Sequence, residues 1–269
     1  YVFIQLFKSC TLIFFIFVSI AWLLQTTRLF SIINIIQVSY LDVLILSGLL
    51  LPSLINITLP FKQKIVPFLD LIVNDAEITS SVNTIYLNDQ DTVIGENTDV
   101  FGLQAAYLKE VDNISNKKAL IIGAGGVSPS VILSLEKSGV REISIVNRTK
   151  EKCIFLKKKF KKINIIDWSN LKDELVNFDI IINATSLGLK GNQDFDFKFD
   201  NVKNNLIYID TVYNPLETNT LKHLKEKEIK VFNGLDMFIY QGQKAFYLWN
   251  KVNPEIDQKL VELLLSKLK

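Results

Sequence analysis

An α/β fold is what this chain predicts, on three observations. From residue 118 onward, short apolar runs of strand length alternate with segments whose apolar residues recur at helical spacing. A glycine cluster stands at the junction between the first such run and the helix after it. Hydrophobic residues make up 49% of the 269 positions and charged residues 22%, which allows a substantial core and excludes global disorder. At roughly 100–200 residues per domain, the length fits one large or two modest domains.

Composition also narrows the chemistry. A net charge of +2 is too small to argue for nucleic acid as a partner. Cys10 and Cys153 lie far apart with no C-x-x-C spacing, which excludes a disulfide framework and a cysteine zinc site and fits a reducing compartment. His223 is the only histidine, which argues against a histidine-based triad or a multi-histidine metal centre, so no metal is expected.

The elements follow in chain order. Residues 1–61 carry three charges, Lys8, Arg28 and Asp42. Ser9–Thr27 is uncharged and mostly apolar, and about 20 such residues suffice to span a bilayer. Val43–Phe61 is similar but holds Pro52 and Pro60. A buried core segment and a cleaved leader are the other readings of this region, although no small-x-small cleavage site follows it. Pro60 suits the first turn of a helix that Thr58 could cap, which would put Lys62 in that turn. There the helix dipole disfavours further positive charge, a setting suited to a proton-transferring lysine. Thr84–Leu87 and Thr92–Gly95 flank Asn88–Asp91 as a hairpin. Val82-Asn83-Thr84 before it and Gly95-Glu-Asn97-Thr98-Asp99 after it are polar turns, and Asn, Thr and Asp are also ordinary turn residues.

Lys118–Ile122 reads as a buried strand, and Ser128–Ser138 as a helix ended by Gly139. Glu142–Val146 is the next strand, and Glu151–Lys161 a basic helix. Ile163–Ile166, Asp179–Ala184, Leu206–Thr211 and Lys230–Phe232 are further strands. Met237–Trp249 and Pro254–Leu268 are closing helices. This rhythm implies a parallel sheet covered on both faces.

Gly123-Ala124-Gly125-Gly126 follows a strand and opens a helix, where glycine lets the backbone turn and approach a pyrophosphate. The third glycine of the full fingerprint is absent, Val127-Ser128-Pro129 standing there instead, and a tight turn without a ligand is the plainer reading. The end of the next strand supports the ligand. NAD-specific folds place a carboxylate there for the ribose hydroxyl, whereas this chain has Asn147-Arg148-Thr149 with Lys150 and Lys152 behind. A guanidinium offers a planar fork to a 2′-phosphate, which selects NADP over NAD. A solvated loop charge is the alternative for Arg148.

Taken in order, eight segments resemble shikimate dehydrogenase: NITLPFK (56–62), SVNT (81–84), GENTDVFG (95–102), GAGGV (123–127), NRT (147–149), NATSLG (183–188), DTVYNP (210–215) and NGLDMFIYQG (233–242). The resemblance covers about residues 54–269. It implies reversible, NADPH-dependent reduction of 3-dehydroshikimate to shikimate, with Lys62 and Asp99 as the catalytic pair. Thr58, Asn83, Asp99, Tyr213 and Gln241 match substrate-holding positions, although an interior tyrosine such as Tyr213 is commonly just packing. Gly123, Ala124, Gly125, Gly126 and Val127 match the pyrophosphate loop. Asn147, Arg148, Thr149 and Lys152 match the NADP-phosphate clamp, and Thr185, Thr211, Gly234 and Met237 the nicotinamide side. The implied architecture is a Rossmann-like NADP-binding domain at 102–234 and an α/β substrate domain from 54–101 and 235–269. The implied setting is the cytoplasm and the chorismate route to aromatic amino acids, with a homodimer among the compatible assemblies.

Residues 1–53 depart from this pattern. The family opens with a Gly-Asn-Pro turn and a Ser-x-Ser pair for the substrate carboxylate, and neither occurs there. The distance to Lys62 is nevertheless family-like. Out-of-frame translation rejoining near Leu54 explains retained length with replaced content, and a real membrane anchor fused to a truncated enzyme is the rival. On either account the literal chain is expected to be poorly soluble and weakly active. A membrane-tethered, catalytically impaired NADP-binding protein and an NAD-dependent quinate/shikimate dehydrogenase are the competing functions. Arg148 argues against the second.

Overall fold

The computed structural model describes residues 54–56 and 61–268. The chain divides into two units, residues 1–55 and 56–269. Of the first only Leu54 and Ile55 are described, as the start of strand β1 (Leu54–Asn56). Ser9–Thr27, Thr58 and Pro60 lie outside the described residues. Among the described residues no helix is long and apolar enough to cross a membrane.

The second unit contains two sheets. In the smaller, β3 (Thr84–Leu87) and β4 (Val93–Glu96) form the expected antiparallel hairpin, and β2 (Leu71–Ile72) runs parallel to β4. Asn88 shapes the turn, its Oδ1 accepting from the Gln90 and Thr92 amides. Helix α1 (Asp75–Thr79) precedes the hairpin and helix α2 (Asp99–Ala106) follows it.

The larger sheet has six parallel strands in the order β7-β6-β5-β8-β9-β10. They are β5 (Lys118–Ile122), β6 (Glu142–Val146), β7 (Asn164–Ile166), β8 (Ile180–Asn183), β9 (Ile207–Asp210) and β10 (Lys230–Phe232). This is the doubly wound order of dinucleotide-binding folds, which reverses direction between β5 and β8.

The strand interiors are mostly apolar because both faces are covered. Ala119 and Ile121 of β5 join Ile143, Ile145, Ile180 and Ile182 on one face. Against them pack α2, helix α3 (Ser128–Lys137), helix α4 (Lys150–Lys159) and the start of helix α7 (Leu235–Asn250). Leu120 and Ile122 turn to the other face, with Ile181 and Tyr208. That face is closed by Leu171 of helix α5 (Leu171–Glu174), by Leu221 and Leu224 of helix α6 (Asn219–Glu226), and by a cluster of Phe195, Phe197 and Phe199. A period of two along each strand thus feeds two hydrophobic layers. Helix α8 (Gln258–Leu268) ends the chain.

Two local details differ from the sequence reading or explain it. No α-helix starts at Lys62; residues 61–65 form turns, followed by a single 3₁₀ turn at Val66–Phe68. Pro67 has no N–H to donate and its ring crowds the preceding carbonyls, so the coil cannot propagate. The dipole argument for Lys62 therefore falls away. On α2, Gly102 is required by packing, since a Cβ there would stand 2.7 Å from the Met237 carbonyl oxygen of α7.

Candidate active site

Lys62 is held where the sequence places it, though by a turn. Ile65 N–H bonds the Phe61 carbonyl at 3.1 Å, and Lys62 itself accepts from the Val82 amide at 2.8 Å, which ties the turn to the strand approach. Its ammonium lies 2.6 Å from Asp99 Oδ2. Asp99 opens α2, where a negative charge is favoured by the exposed amides of the first turn. Its carboxylate is only 2% exposed and the Lys62 side chain 12% exposed, so the pair is shielded while the lysine keeps contact with solvent.

A second layer sets Asp99. Its amide donates to Asn97 Oδ1 at 3.0 Å, and the Asn97 amide group reaches Thr79 Oγ1, the Ser81 carbonyl and Ser130 Oγ at 2.9–3.0 Å. Asn83 donates to Asp99 Oδ1 at 2.9 Å and lies 3.3 Å from Gln241 Oε1, while its own Oδ1 accepts from the Thr98 amide at 2.9 Å. Burying this many polar groups is tolerable because each has a partner. Lys62, Asp99, Asn83 and Gln241 therefore form one network drawn from a turn, a strand approach and two helices. Asn97, Thr98 and Asp99 are buried, where ordinary turn residues stand in solvent.

These four residues line a cleft of about 1190 Å³ that continues to the glycine loop. Gly123 has φ +113°, and a Cβ there would lie 2.7 Å from the Ala184 carbonyl oxygen, so only glycine fits. Ser128 replaces the missing third glycine with a brace: its hydroxyl accepts from the Gly125 amide at 2.9 Å and donates to the Gly123 carbonyl at 3.0 Å. Asn147 Oδ1 accepts from the Ala124 amide at 3.2 Å. Gly126 and Val127 amides have no backbone acceptor among the described residues, at the start of α3.

Beyond the loop, Arg148 and Lys152 line the cleft and no carboxylate stands at the end of β6. Thr149 is exposed and is not part of the wall; it serves through its carbonyl, which accepts from Asn147 Nδ2 at 2.9 Å. On the opposite side Thr185, Thr211, Gly234 and Met237 line the cleft with Tyr213. Tyr213 stacks on Phe238 at 4.9 Å and contributes to the wall, which goes beyond core packing. Thr58 lies outside the described residues.

Several lining residues escaped the sequence reading. Trp168, two residues past β7, brings an indole to the wall that Arg148 and Lys152 share. Lys150 bridges to Asp167 at 2.5 Å and links that loop to α4. Its signal was positional: it follows the strand next to β6, at the same end of the sheet. Phe246, Ile256, Leu260 and Leu264 also line the cleft, and amphipathic helix spacing alone could not assign them.

The chain is similar to known proteins in sequence and in fold. Residues 105–195 match the family model described as shikimate / quinate 5-dehydrogenase. A shikimate dehydrogenase (NADP(+)) of Pelagibacter ubique is 47% identical over 210 residues, which cover 78% of this chain and 77% of that protein. The crystal structure of a Thermus thermophilus shikimate 5-dehydrogenase with NADP(H) and shikimate aligns with TM-score 0.70 and 28% identity, covering 81% of this chain and 79% of that one. A quinate dehydrogenase from Corynebacterium glutamicum in complex with NAD aligns with TM-score 0.73 and 26% identity, covering 80% and 78%.

Proposed function

The chain belongs to the shikimate dehydrogenase family, and from that premise we infer that it is an NADP(H)-dependent oxidoreductase that interconverts 3-dehydroshikimate and shikimate. The observation that carries the reading is the Lys62–Asp99 pair at 2.6 Å, lining the same cleft as the Gly123 loop and Arg148.

The cleft suits the cofactor. A loop that only glycine can form at Gly123 leaves backbone close to a pyrophosphate, and Arg148 with Lys152 offers cations where an NAD site would need an acid. When bound, NADPH supplies the hydride for the substrate carbonyl carbon. The chain's own groups handle the oxygen. The Lys62 ammonium, oriented by Asp99, donates a proton to the oxygen as negative charge develops on it. Lys62 regains a proton from water, to which its side chain retains access. In the oxidative direction the neutral lysine accepts the hydroxyl proton. Asp99 holds the amine in line, itself held by Asn83 and the Asn97 brace.

We assign catalysis to Lys62 and Asp99, and substrate hydroxyls or carboxylate to Thr58, Asn83, Tyr213 and Gln241. The cofactor falls to residues 123–127, Asn147, Arg148, Lys152, Thr185, Thr211, Gly234 and Met237, with Thr149 acting through its carbonyl on Asn147. Residues 102–234 form the cofactor domain in this reading, with 54–101 and 235–269 the substrate domain. The reaction places the chain in chorismate and aromatic amino-acid biosynthesis. Cysteine usage supports the cytoplasm, Cys153 being a free, buried thiol whose pKa burial pushes up to about 11.

The test is steady-state oxidation of shikimate and of quinate with NADP⁺ and with NAD⁺. Shikimate with NADP⁺ is expected to give the highest kcat/KM. A preference for NAD⁺ and quinate would move the chain to the other branch of the family, and no turnover with NADP⁺ bound would favour the catalytically impaired alternative.

A further inference from the structure

Asp210, the last residue of β9, is fully buried and enters no ion pair among the described residues. Its carboxylate is instead surrounded by neutral donors. Oδ1 accepts from Asn183 Nδ2 of β8 and from the Val212 amide, both at 3.0 Å. Oδ2 accepts from the Thr218 hydroxyl at 3.0 Å. Thr218 is in turn the N-cap of α6, taking the Leu221 amide on its side-chain oxygen. One side chain thus fastens both ends of the loop that carries Tyr213.

We propose that Asp210 is a positioning residue for the substrate wall, a buried strap that holds the 211–218 loop so that Tyr213 faces the substrate. The proposal rests on the functional reading above, in which Tyr213 contacts shikimate. Thr211 is secured separately, its amide and hydroxyl both bonding the Asn183 carbonyl, so the effect of the strap falls on Tyr213 more than on the nicotinamide side. A carboxylate is the group the geometry requires, because three donors converge on it. An asparagine keeps the Asn183 and Val212 bonds only by turning its NH2 toward Thr218, which reverses that bond and takes from the Thr218 hydroxyl its carboxylate acceptor. Burial raises the Asp210 pKa to about 6, so the charge is held at a cost that the fold alone does not require. The titratable groups facing it are Tyr208, two residues back on the same face of β9, and Tyr107, the residue that follows α2.

The experiment compares the full chain with Asp210→Asn, Thr218→Val and Thr218→Ser by amide hydrogen exchange and by shikimate kinetics. Asp210→Asn is expected to speed exchange at Val212–Leu216 by roughly tenfold without lowering Tm. It should raise KM for shikimate by about three- to tenfold, with kcat and the Kd for NADP⁺ within about twofold. Thr218→Val should reproduce the KM shift, Thr218→Ser should restore it, and the Asp210→Asn/Thr218→Val double variant should be no worse than either single. Unchanged exchange in Asp210→Asn would overturn the strap. Faster exchange with unchanged KM, or a loss spread equally over KM, kcat and NADP⁺ affinity, would reduce it to a structural role and overturn the positioning. Should the wild-type chain fail to oxidise shikimate, the functional reading fails on that measurement, while the exchange comparison still decides the strap.

Discussion

At the scale of single residues, the proposed mechanism divides the work of Lys62 and Asp99 by exposure: the shielded carboxylate would orient and the partly exposed amine would exchange protons. Lys62→Met is therefore expected to lower kcat by about 10²–10⁴-fold while leaving the Kd for NADP⁺ near wild type, measured by steady-state kinetics and equilibrium binding. An equal fall in both would show that the variant has damaged the cleft instead. Asp210 gives a pH signature of opposite sign to the usual carboxylate. Its folded pKa of about 6 stands above the ordinary 3.8, so the native state binds the proton more tightly than the unfolded one. Its contribution to stability is fully present below the unfolded value and is lost as pH rises through about 6, by on the order of 3 kcal/mol. Relative to Asp210→Asn, the wild type should lose Tm between about pH 4 and 6, in thermal melts of the two side by side. Lys62, Asp99, Asn83, Arg148 and Gln241 were legible from short motifs. Asp210 lies inside one of those motifs, yet its role was not, because burial and three converging donors are not properties of a string of letters.

At the scale of elements, the proposed reading rests the choice of cofactor on the β5–α3 junction and the end of β6. Gly123→Ala would meet both a strained φ and the Ala184 carbonyl, so it should abolish NADP⁺ binding or expression together. Arg148→Ala is the sharper test: it should weaken NADP⁺ by about tenfold or more and leave NAD⁺ nearly unchanged, since only the 2′-phosphate contact is removed. An equal loss for both dinucleotides would place Arg148 elsewhere on the ligand. The elements themselves were readable because strands buried on both faces are mostly apolar, and α3 ends just before Gly139. The turn at Lys62 was misread as a helix start. Pro60 looked like a helix opener, but Pro67 a few residues on prevents the coil from continuing.

At the scale of the molecule, the reach of one cleft from Arg148 to Gln241 makes a ligand effect measurable without chemistry. NADP⁺ at 100 times its Kd should add about 2.7 kcal/mol of stability, a rise in Tm of several degrees, and shikimate should add a further increment only when its wall is intact. No rise with NADP⁺ would mean that the described cleft is not competent to bind it in the full chain.

The alternation of strands and helices, the parallel sheet, the glycine loop, the cationic end of β6 and the family are all written in local pattern: period, spacing and residue type within a few positions. Which polar residues are partners follows from the folded chain alone. Lys62 and Asp99 are 37 residues apart, and Asn83 and Gln241 are 158 apart. The bond from the Val82 amide to the Lys62 carbonyl brings the turn to the strand approach, and the close approach of α2 to α7 at Gly102 brings in Gln241; no local pattern encodes either. The same holds for Asp210, whose buried charge is explained only when β8, its own loop and the cap of α6 are brought around it.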